Sequence, residues 1–155
     1  MKSESFDLSV LYSTLAVFDP SLEQPFNDWS DQHVAQGFSW RPGSVSFATL
    51  QEGGSHRIEV ELAEQFSLQD NTKRAIVVPF SINAASLVEV ASIPSSRLIQ
   101  FPEGDYELYY EAGQDEVGPW CRLTFVPGSN REARILRADE ELSPSYPLTM
   151  QADPA

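Results

Sequence analysis

Short runs in which apolar and polar residues alternate are the feature that most constrains this chain. In residues 56–62 the apolar side chains are Ile58, Val60 and Leu62, and charged residues stand between them. Successive side chains of a β-strand point to opposite faces, so the alternation predicts a strand with one buried and one wet face. The same period of two recurs in residues 74–82, 105–111 and 120–126.

Glycine and proline clusters separate these runs and complete a β-rich pattern. Further strands are predicted at residues 6–17, 44–50, 87–93 and 132–137. Turns are expected at Gly53-Gly54, at Pro102-Glu103-Gly104 and at residues 127–130. The last turn predicts a hairpin that joins residues 120–126 to 132–137. We expect a mainly β protein, an antiparallel β-sandwich of about eight strands with one short helix, a barrel being the other closure that suits the pattern.

One segment, residues 28–37, has the end signals of a helix. Ser30 can cap the N-terminus, Asp31 suits the first turn, and Gly37 can end the helix in the left-handed conformation. A helix of two turns depends on packing, for which Trp29 and Val34 are the predicted anchors.

The length of 155 residues predicts one domain with its own core. We place a single β-sandwich domain at residues 1–138. Residues 139–155 begin with Asp139-Glu140-Glu141 and carry three of the prolines, which predicts an extended acidic tail. We expect Tyr146 and Leu148 to pack the tail against the domain, and a disordered end is the alternative for its last residues.

The acid balance narrows the function. Asp and Glu number 23 against ten Lys and Arg, for a formal net charge of −13. A field of this sign repels nucleic acid and anionic membranes and speeds the approach of basic partners. The competing interpretation is that the acids only keep the protein soluble.

The acids are also clustered. Residues 98–121 contain no Lys or Arg. They contain six acidic residues: Glu103, Asp105, Glu107, Glu111, Asp115 and Glu116. We predict that these six residues, with Tyr109 among them, form a contact surface for a cationic partner. Trp40 is a further candidate anchor, with a core position as the alternative. Asp28 and Asp31 are second choices, and helix capping is their competing role.

Signals for catalysis, metal binding and membrane insertion are absent from the sequence. Cys121 is the single cysteine and alternates as a buried strand residue, and His33 and His56 lie in no nucleophile or zinc motif. We therefore predict no catalytic residue, no metal, no cofactor and no enzymatic activity. The chain also lacks a secretory h-region and any run of about 18 apolar residues, which predicts a cytoplasmic protein without a membrane segment.

Four short motifs occur together in order. They are Asp28-Trp29-Ser30-Asp31 followed by Gly37-Phe38, Gly43-Ser44-Val45-Ser46-Phe47, Val77-Val78-Pro79-Phe80, and Pro102-Glu103-Gly104-Asp105-Tyr106-Glu107-Leu108. The set resembles the competence protein J family, over residues 6 to 123. Members of that family are small acidic proteins that bind and silence a non-specific, metal-dependent DNase. The loops at residues 67–72 and 112–119 and the proline-bearing tail depart from the family pattern.

The resemblance implies an inhibitor that blocks a bacterial DNase through an acidic surface, with no direct contact to nucleic acid. The departures leave room for a different cognate enzyme, and an immunity protein against a secreted DNase toxin is a related possibility. Two other classes stay open at this point. One is a β-sandwich ligand module, for example one that binds carbohydrate, and the other is an enzyme with a dispersed site.

Overall fold

The computed structural model describes residues 2–155, which form two β-sheets and one short helix. The elements in chain order are β1 (Lys2–Val10), β2 (Thr14–Phe18), α1 (Asp31–Gln36), β3 (Phe38–Arg41), β4 (Ser44–Ala48), β5 (Gly54–Leu62), β6 (Thr72–Ile82), β7 (Leu87–Ser92), β8 (Ser95–Gln100), β9 (Gly104–Gln114), β10 (Pro119–Pro127) and β11 (Arg134–Arg137). The prediction of a mainly β, sandwich-like fold with one short helix is confirmed.

The larger sheet has six strands in the order β1-β5-β10-β9-β6-β11. Its neighbours are antiparallel except β5 and β10, which run parallel with Ile58 opposite Cys121. Residues 63–71 leave the end of β5 and return to the start of β6, two strands beyond β10. This connection, the crossover segment, therefore runs over the outer face of β10 and β9 and buries side chains on a face that would otherwise be wet.

The smaller sheet has five strands in the order β3-β4-β2-β7-β8, all antiparallel. Its inner face packs on the inner face of the larger sheet. Phe47 of β4 stacks on Tyr110 of β9 with ring centroids 4.4 Å apart. Trp40 of β3 donates from Nε1 to the carbonyl of Pro79 in β6 at 2.8 Å. These contacts join both sheets into one core of buried aliphatic and aromatic side chains.

Two expectations about strands are wrong, and two strands were missed. Residues 6–17 are two strands in different sheets, because Tyr12 and Ser13 adopt left-handed conformations and turn the chain between them. Residues 120–126 do not form a hairpin with 132–137. Since β10 is already flanked by β5 and β9, the chain passes to the far edge, where β11 pairs with β6. Strands β3 and β8 were not predicted.

The predicted helix is confirmed, and its end signals act as expected. The Ser30 hydroxyl accepts from the N–H of His33, and Gly37 ends the helix in the left-handed conformation. His33 completes the cap, because its Nδ1 accepts from the N–H of Ser30 at 2.9 Å. The predicted anchors are less accurate, since Val34 is 60% exposed and the buried helix residues are His33 and Gln36.

Residues 138–155 wrap around the helix in an extended conformation. Asp139 pairs with the buried Arg74 through two hydrogen bonds of 2.7 and 2.8 Å, and Leu142 packs against Gly37. Farther along, the Gln36 amide group exchanges hydrogen bonds with the backbone of Thr149. Tyr146 is 70% exposed and does not anchor the segment, whereas Leu148 packs on the core. The division at residues 138 and 139 stays a prediction.

Within residues 2–155, no helix has the length and apolar character needed to cross a membrane.

Candidate functional site

Strand β9 carries three of the acidic residues predicted for partner binding, and Glu103, Asp115 and Glu116 flank its two ends. Its inward side chains, Tyr106, Leu108 and Tyr110, are buried in the core. The outward side chains are Asp105, Glu107, Tyr109 and Glu111. Although these four share one face of one strand, the crossover segment and distant arginines give them different surroundings.

Glu111 is fully buried beneath the crossover segment, so it is not part of the exposed surface that the sequence predicted. Its Oε1 accepts from Nε of Arg122 at 2.6 Å. Its Oε2 accepts from the Thr72 hydroxyl at 2.7 Å and from the N–H of Gln69 at 2.9 Å. A buried carboxylate requires such an ion pair and full hydrogen bonding. Glu111 therefore holds the crossover segment to the sheet.

Tyr109 lies under the same segment. Phe66 stacks on its ring with centroids 4.1 Å apart and an interplanar angle of 8°. The guanidinium of Arg122 lies 5.8 Å from the centre of the Phe66 ring. One face of Tyr109 is thus already occupied, which reduces the area this residue can offer as a partner anchor.

Glu107 and Asp115 are each paired with an arginine from another strand. Arg134 of β11 contacts Glu107 at 2.8 Å, and Arg57 of β5 contacts Asp115 at 2.5 Å. The hydrogen bond from Arg57 lowers the pKa of Asp115, and backbone N–H groups of the same turn contribute. The neighbouring Glu116 is exposed. These pairs weaken the negative field on both flanks of the buried pair.

Glu103 and Asp105 lie at the other end of the strand, beside an open groove of about 800 Å³. Its lining residues come from three strand ends: Leu62, Ala63, Glu64 and Gln65, then Pro102, Glu103, Gly104, Asp105 and Tyr106, and finally Pro127. The three acids, Glu64, Glu103 and Asp105, are exposed, and the lining residues that the structure describes include no Lys or Arg. We call this the acidic groove.

The remaining candidates lie elsewhere. Asp28 and Asp31 are exposed beside the helix. Asp28 accepts from the N–H of Asp153 at 3.0 Å and so helps to hold the C-terminal segment, while Asp31 occupies the first helical turn. Trp40 is only 8% exposed and bonds to Pro79, so the core position is correct and the surface anchor is wrong.

Sequence reasoning missed Glu64 and the three arginines that pair with acids of β9 and of the turn after it. The signal for Arg122 was available, because a hairpin through residues 114–119 places it directly opposite Glu111. Arg57 and Arg134 lie on β5 and β11. The sequence does not show which strands lie beside these two, so their acidic partners could not be predicted. The same holds for Glu64, which follows β5. It lines the same groove as Glu103 only because β10 pairs with both β5 and β9.

Cys121 is fully buried in the core. Burial raises the pKa of the Cys121 thiol to about 12, so the thiolate needed for nucleophilic attack is scarce at neutral pH. Across residues 2–155, no three His, Cys, Asp or Glu side chains come together in an arrangement that can hold a metal ion.

A protein-family comparison matches residues 7–126 of this chain to the competence protein J family, ComJ. The match covers well over half of the sequence. The chain belongs to the competence protein J family. A search of curated protein sequences finds no match.

Two solved structures share the fold of this competence protein J family member. The crystal structure of ComJ from Bacillus subtilis, the inhibitor of the DNA degrading activity of NucA, has a TM-score of 0.74 and 21% sequence identity. The similarity covers 82% of this chain and 98% of that chain. The product of crocagin biosynthetic gene J has a TM-score of 0.57 and 13% identity, over 83% of this chain and all of the other.

The family match separates the molecule into two parts. It contains the helix, strands β2 to β9, residues 7–10 of β1, most of β10, and the whole acidic groove except Pro127. Strand β11 and the C-terminal segment follow it. Arg134, which neutralises Glu107, therefore lies outside the part of the chain that the family match covers.

Proposed function

We propose that this competence protein J family member inhibits a DNA-degrading nuclease by binding to it directly, and that it is not an enzyme. Family membership supports the proposal, together with the fold shared with ComJ, the inhibitor of the DNA degrading activity of NucA. The observation that carries the choice of surface is the acidic groove, where Glu64, Glu103 and Asp105 have no cationic neighbour among the lining residues.

The physical basis is charge complementarity with an enzyme that binds a polyanion. A DNase holds the phosphates of DNA with basic side chains and, in many enzymes, with a divalent metal. Exposed carboxylates offer oxygen atoms to the same groups. The excess of acids, −13 over the whole chain, steers the inhibitor toward such a surface and speeds association.

Three finer statements belong to the same proposal. The nuclease is metal-dependent, the encounter takes place in the cytoplasm, and the surface of contact is acidic. An immunity protein that protects its own cell from a DNase toxin satisfies the same requirements. Neither role involves contact with nucleic acid or membrane.

A carbohydrate-binding module is the second candidate, and the acidic groove gives it little support. Carbohydrate sites of that type present exposed aromatic rings to the ligand. Tyr106 is the aromatic residue of the groove lining, but it is only 4% exposed and its hydroxyl donates to the carbonyl of Pro102.

The test is a DNA cleavage assay with the purified full chain. The enzymes are the DNase encoded beside its gene and, separately, NucA of Bacillus subtilis. We expect loss of cleavage at stoichiometric inhibitor, and association that slows as salt rises, because steering between opposite charges is screened. Both DNases remaining active at a large molar excess of the protein would contradict the proposed function. An association rate that does not change with salt would contradict the acidic contact surface.

A further inference from the structure

The walls of the acidic groove are fixed before any partner arrives. The Tyr106 hydroxyl donates to the carbonyl of Pro102 at 2.7 Å, which ties the turn to the strand that follows it. Ala63 donates to the carbonyl of Phe125, and Gly128 donates to the carbonyl of Asp105, both at 3.0 Å. A site with walls held in this way loses little conformational freedom when it binds.

The floor of the groove is apolar and its rim is acidic. The apolar part of the lining comes from Leu62, Ala63, Pro102 and Pro127. On the rim, the carboxylates of Glu64 and Glu103 contact no hydrogen-bond donor or base within residues 2–155. Asp105 accepts from the hydroxyl of Ser81 at 2.7 Å through one oxygen and leaves the other exposed.

The arginines that pair with acids of the same sheet do not compensate this charge. Arg134 is held by Glu107, and Arg57 and Arg122 pair with acids farther along the sheet. The groove thus combines a carbon floor with three carboxylates that pair with no cation among the side chains described, those of residues 3–155. An anionic ligand is repelled from such a site, and a neutral sugar leaves the charges unpaired.

A long side chain with an apolar stem and a cationic head matches both parts of the groove. Lys and Arg lay their methylene stems along carbon surface and keep the charge at the edge. Arginine fits a rim of carboxylates better, because its planar guanidinium can donate to two of them at once. The volume of about 800 Å³ also has room for the residues on either side of that arginine.

We propose that the acidic groove is the receptor for an arginine side chain of the partner nuclease. This inference rests on the proposed function and specifies how the inhibitor holds the enzyme. The carboxylates grip a basic residue of the partner, so they need not reach its metal ion. Arginine is also among the residues that most often dominate the energy of a protein interface.

The groove can be tested without the nuclease. Isotope-labelled full chain is titrated with N-acetyl-arginine amide while backbone amide shifts are followed by NMR. N-acetyl-citrulline amide is the matched neutral probe, and N-acetyl-lysine amide the matched cation. We expect saturable shifts at Ala63, Gly104 and Tyr106 with the arginine probe, at least tenfold weaker binding of citrulline, and weaker binding of lysine. Equal binding of citrulline, tighter binding of lysine, or shifts spread over other acidic residues would overturn the proposal.

Two double variants link the groove to inhibition. Glu103→Gln with Asp105→Asn removes two charges but keeps the shapes, and Asn can still accept from Ser81. Asp115→Asn with Glu116→Gln is the matched control at the far end of the strand. We expect at least tenfold weaker inhibition from the groove variant and less than threefold from the control. Full inhibition by the folded groove variant would overturn the groove and leave the inhibitor function standing. An inactive wild-type protein would instead remove the function, and the arginine titration would then decide the groove alone.

Discussion

Glu111 and Glu103 belong to the same acidic stretch of sequence, yet the fold treats them in opposite ways. Glu111 is completely buried and is satisfied by Arg122, Thr72 and the backbone of Gln69. Glu103 is exposed on the rim of a groove that has no base in its lining. Asp105, on the same strand as Glu111, lies six residues from it, about 20 Å along an extended chain. One carboxylate serves the structure, and the groove carboxylates remain available to a partner.

The comparison shows that net charge does not locate a negative field. Arginines from β5, β10 and β11 pair with acids of β9 and of the turn after it, none of which has a base nearby in sequence. Only the carboxylates that such pairing leaves out can steer or grip a cationic partner. The effective surface is therefore smaller than the acidic stretch: Glu103 and Asp105 stay unpaired at one end, and Glu116 stands alone at the other.

The largest effect that separates the two regions is expected from Glu111→Ala. Removing the carboxylate leaves the Arg122 charge buried without its main partner, which costs about 3–5 kcal/mol of unfolding free energy. Urea denaturation measures the loss. Glu107→Ala is the control, because its partner Arg134 is 43% exposed and a pair of this kind contributes about 1 kcal/mol or less. Equal losses in the two variants would break the distinction between buried and exposed pairs.

This prediction also changes an experiment that the sequence alone suggests. Replacing Glu107 and Glu111 together by lysine looks like a test of the acidic surface. Because Glu111 is buried against Arg122, the lysine introduced at position 111 would lie beside the Arg122 guanidinium in the interior. The double replacement is therefore expected to unfold the domain.

A smaller, pH-dependent effect is expected from Asp139→Asn at the other buried arginine pair. Burial alone raises the pKa of Asp139, but the hydrogen bonds from Arg74 outweigh it, and the pKa lies below its usual value. In the unfolded chain the Asp139 carboxyl has a pKa of about 3.9. The ion pair therefore stabilises the wild type above that pH, and this stability is lost as the pH falls through the lower pKa of the folded state. We expect a loss of about 2 kcal/mol at pH 7.

The measurement is thermal unfolding of both proteins from pH 7 to pH 2. The difference between wild type and Asp139→Asn should shrink as the pH falls below about 4, because protons then bind first to the carboxyl of the unfolded wild type and only at lower pH to the folded one. Glu140→Gln, a change at the exposed neighbour, is the control, with a small difference at every pH. A wild-type advantage over Asp139→Asn that persists unchanged at pH 2 would show that Arg74 does not depend on this charge.

The smallest effect on stability is expected at the groove itself. Glu103→Gln changes an exposed rim carboxylate with no ion pair, so the free energy of unfolding should change by less than about 0.5 kcal/mol. Urea denaturation checks this alongside the variants above. A loss of several kcal/mol would mean that Glu103 supports the fold and would remove the contrast with Glu111.

Local chemistry explains which structural features could be predicted from the sequence. The strands around Ile58, Leu108 and Leu123 follow from alternation, and the helix follows from Ser30 and Gly37. Trp40 and Glu111 could not be placed in the same way. Their burial depends on the opposite sheet and on the crossover segment, which bring together residues far apart in sequence.

The candidate site divides along the same line. Glu103 and Asp105 were predicted because they are acids at a turn, which is a local property. The position of Glu64 in the groove depends on which strand ends meet, and so does the absence of a base among the described lining residues. The turn at residues 127–130 is the instructive failure, because its residues suit a hairpin but both sides of β10 were already occupied.

The parallel pairing of β5 with β10 has a consequence for biosynthesis. Residues 54–62 leave the ribosome early, yet the neighbour that covers one side of them is residues 119–127. Until that later stretch emerges, β5 has an open edge, and its partner on the other side, β1, cannot close it. Contacts so distant in sequence slow folding and leave strands exposed to wrong pairing meanwhile. We therefore expect yields of soluble product to depend on how fast the chain is translated.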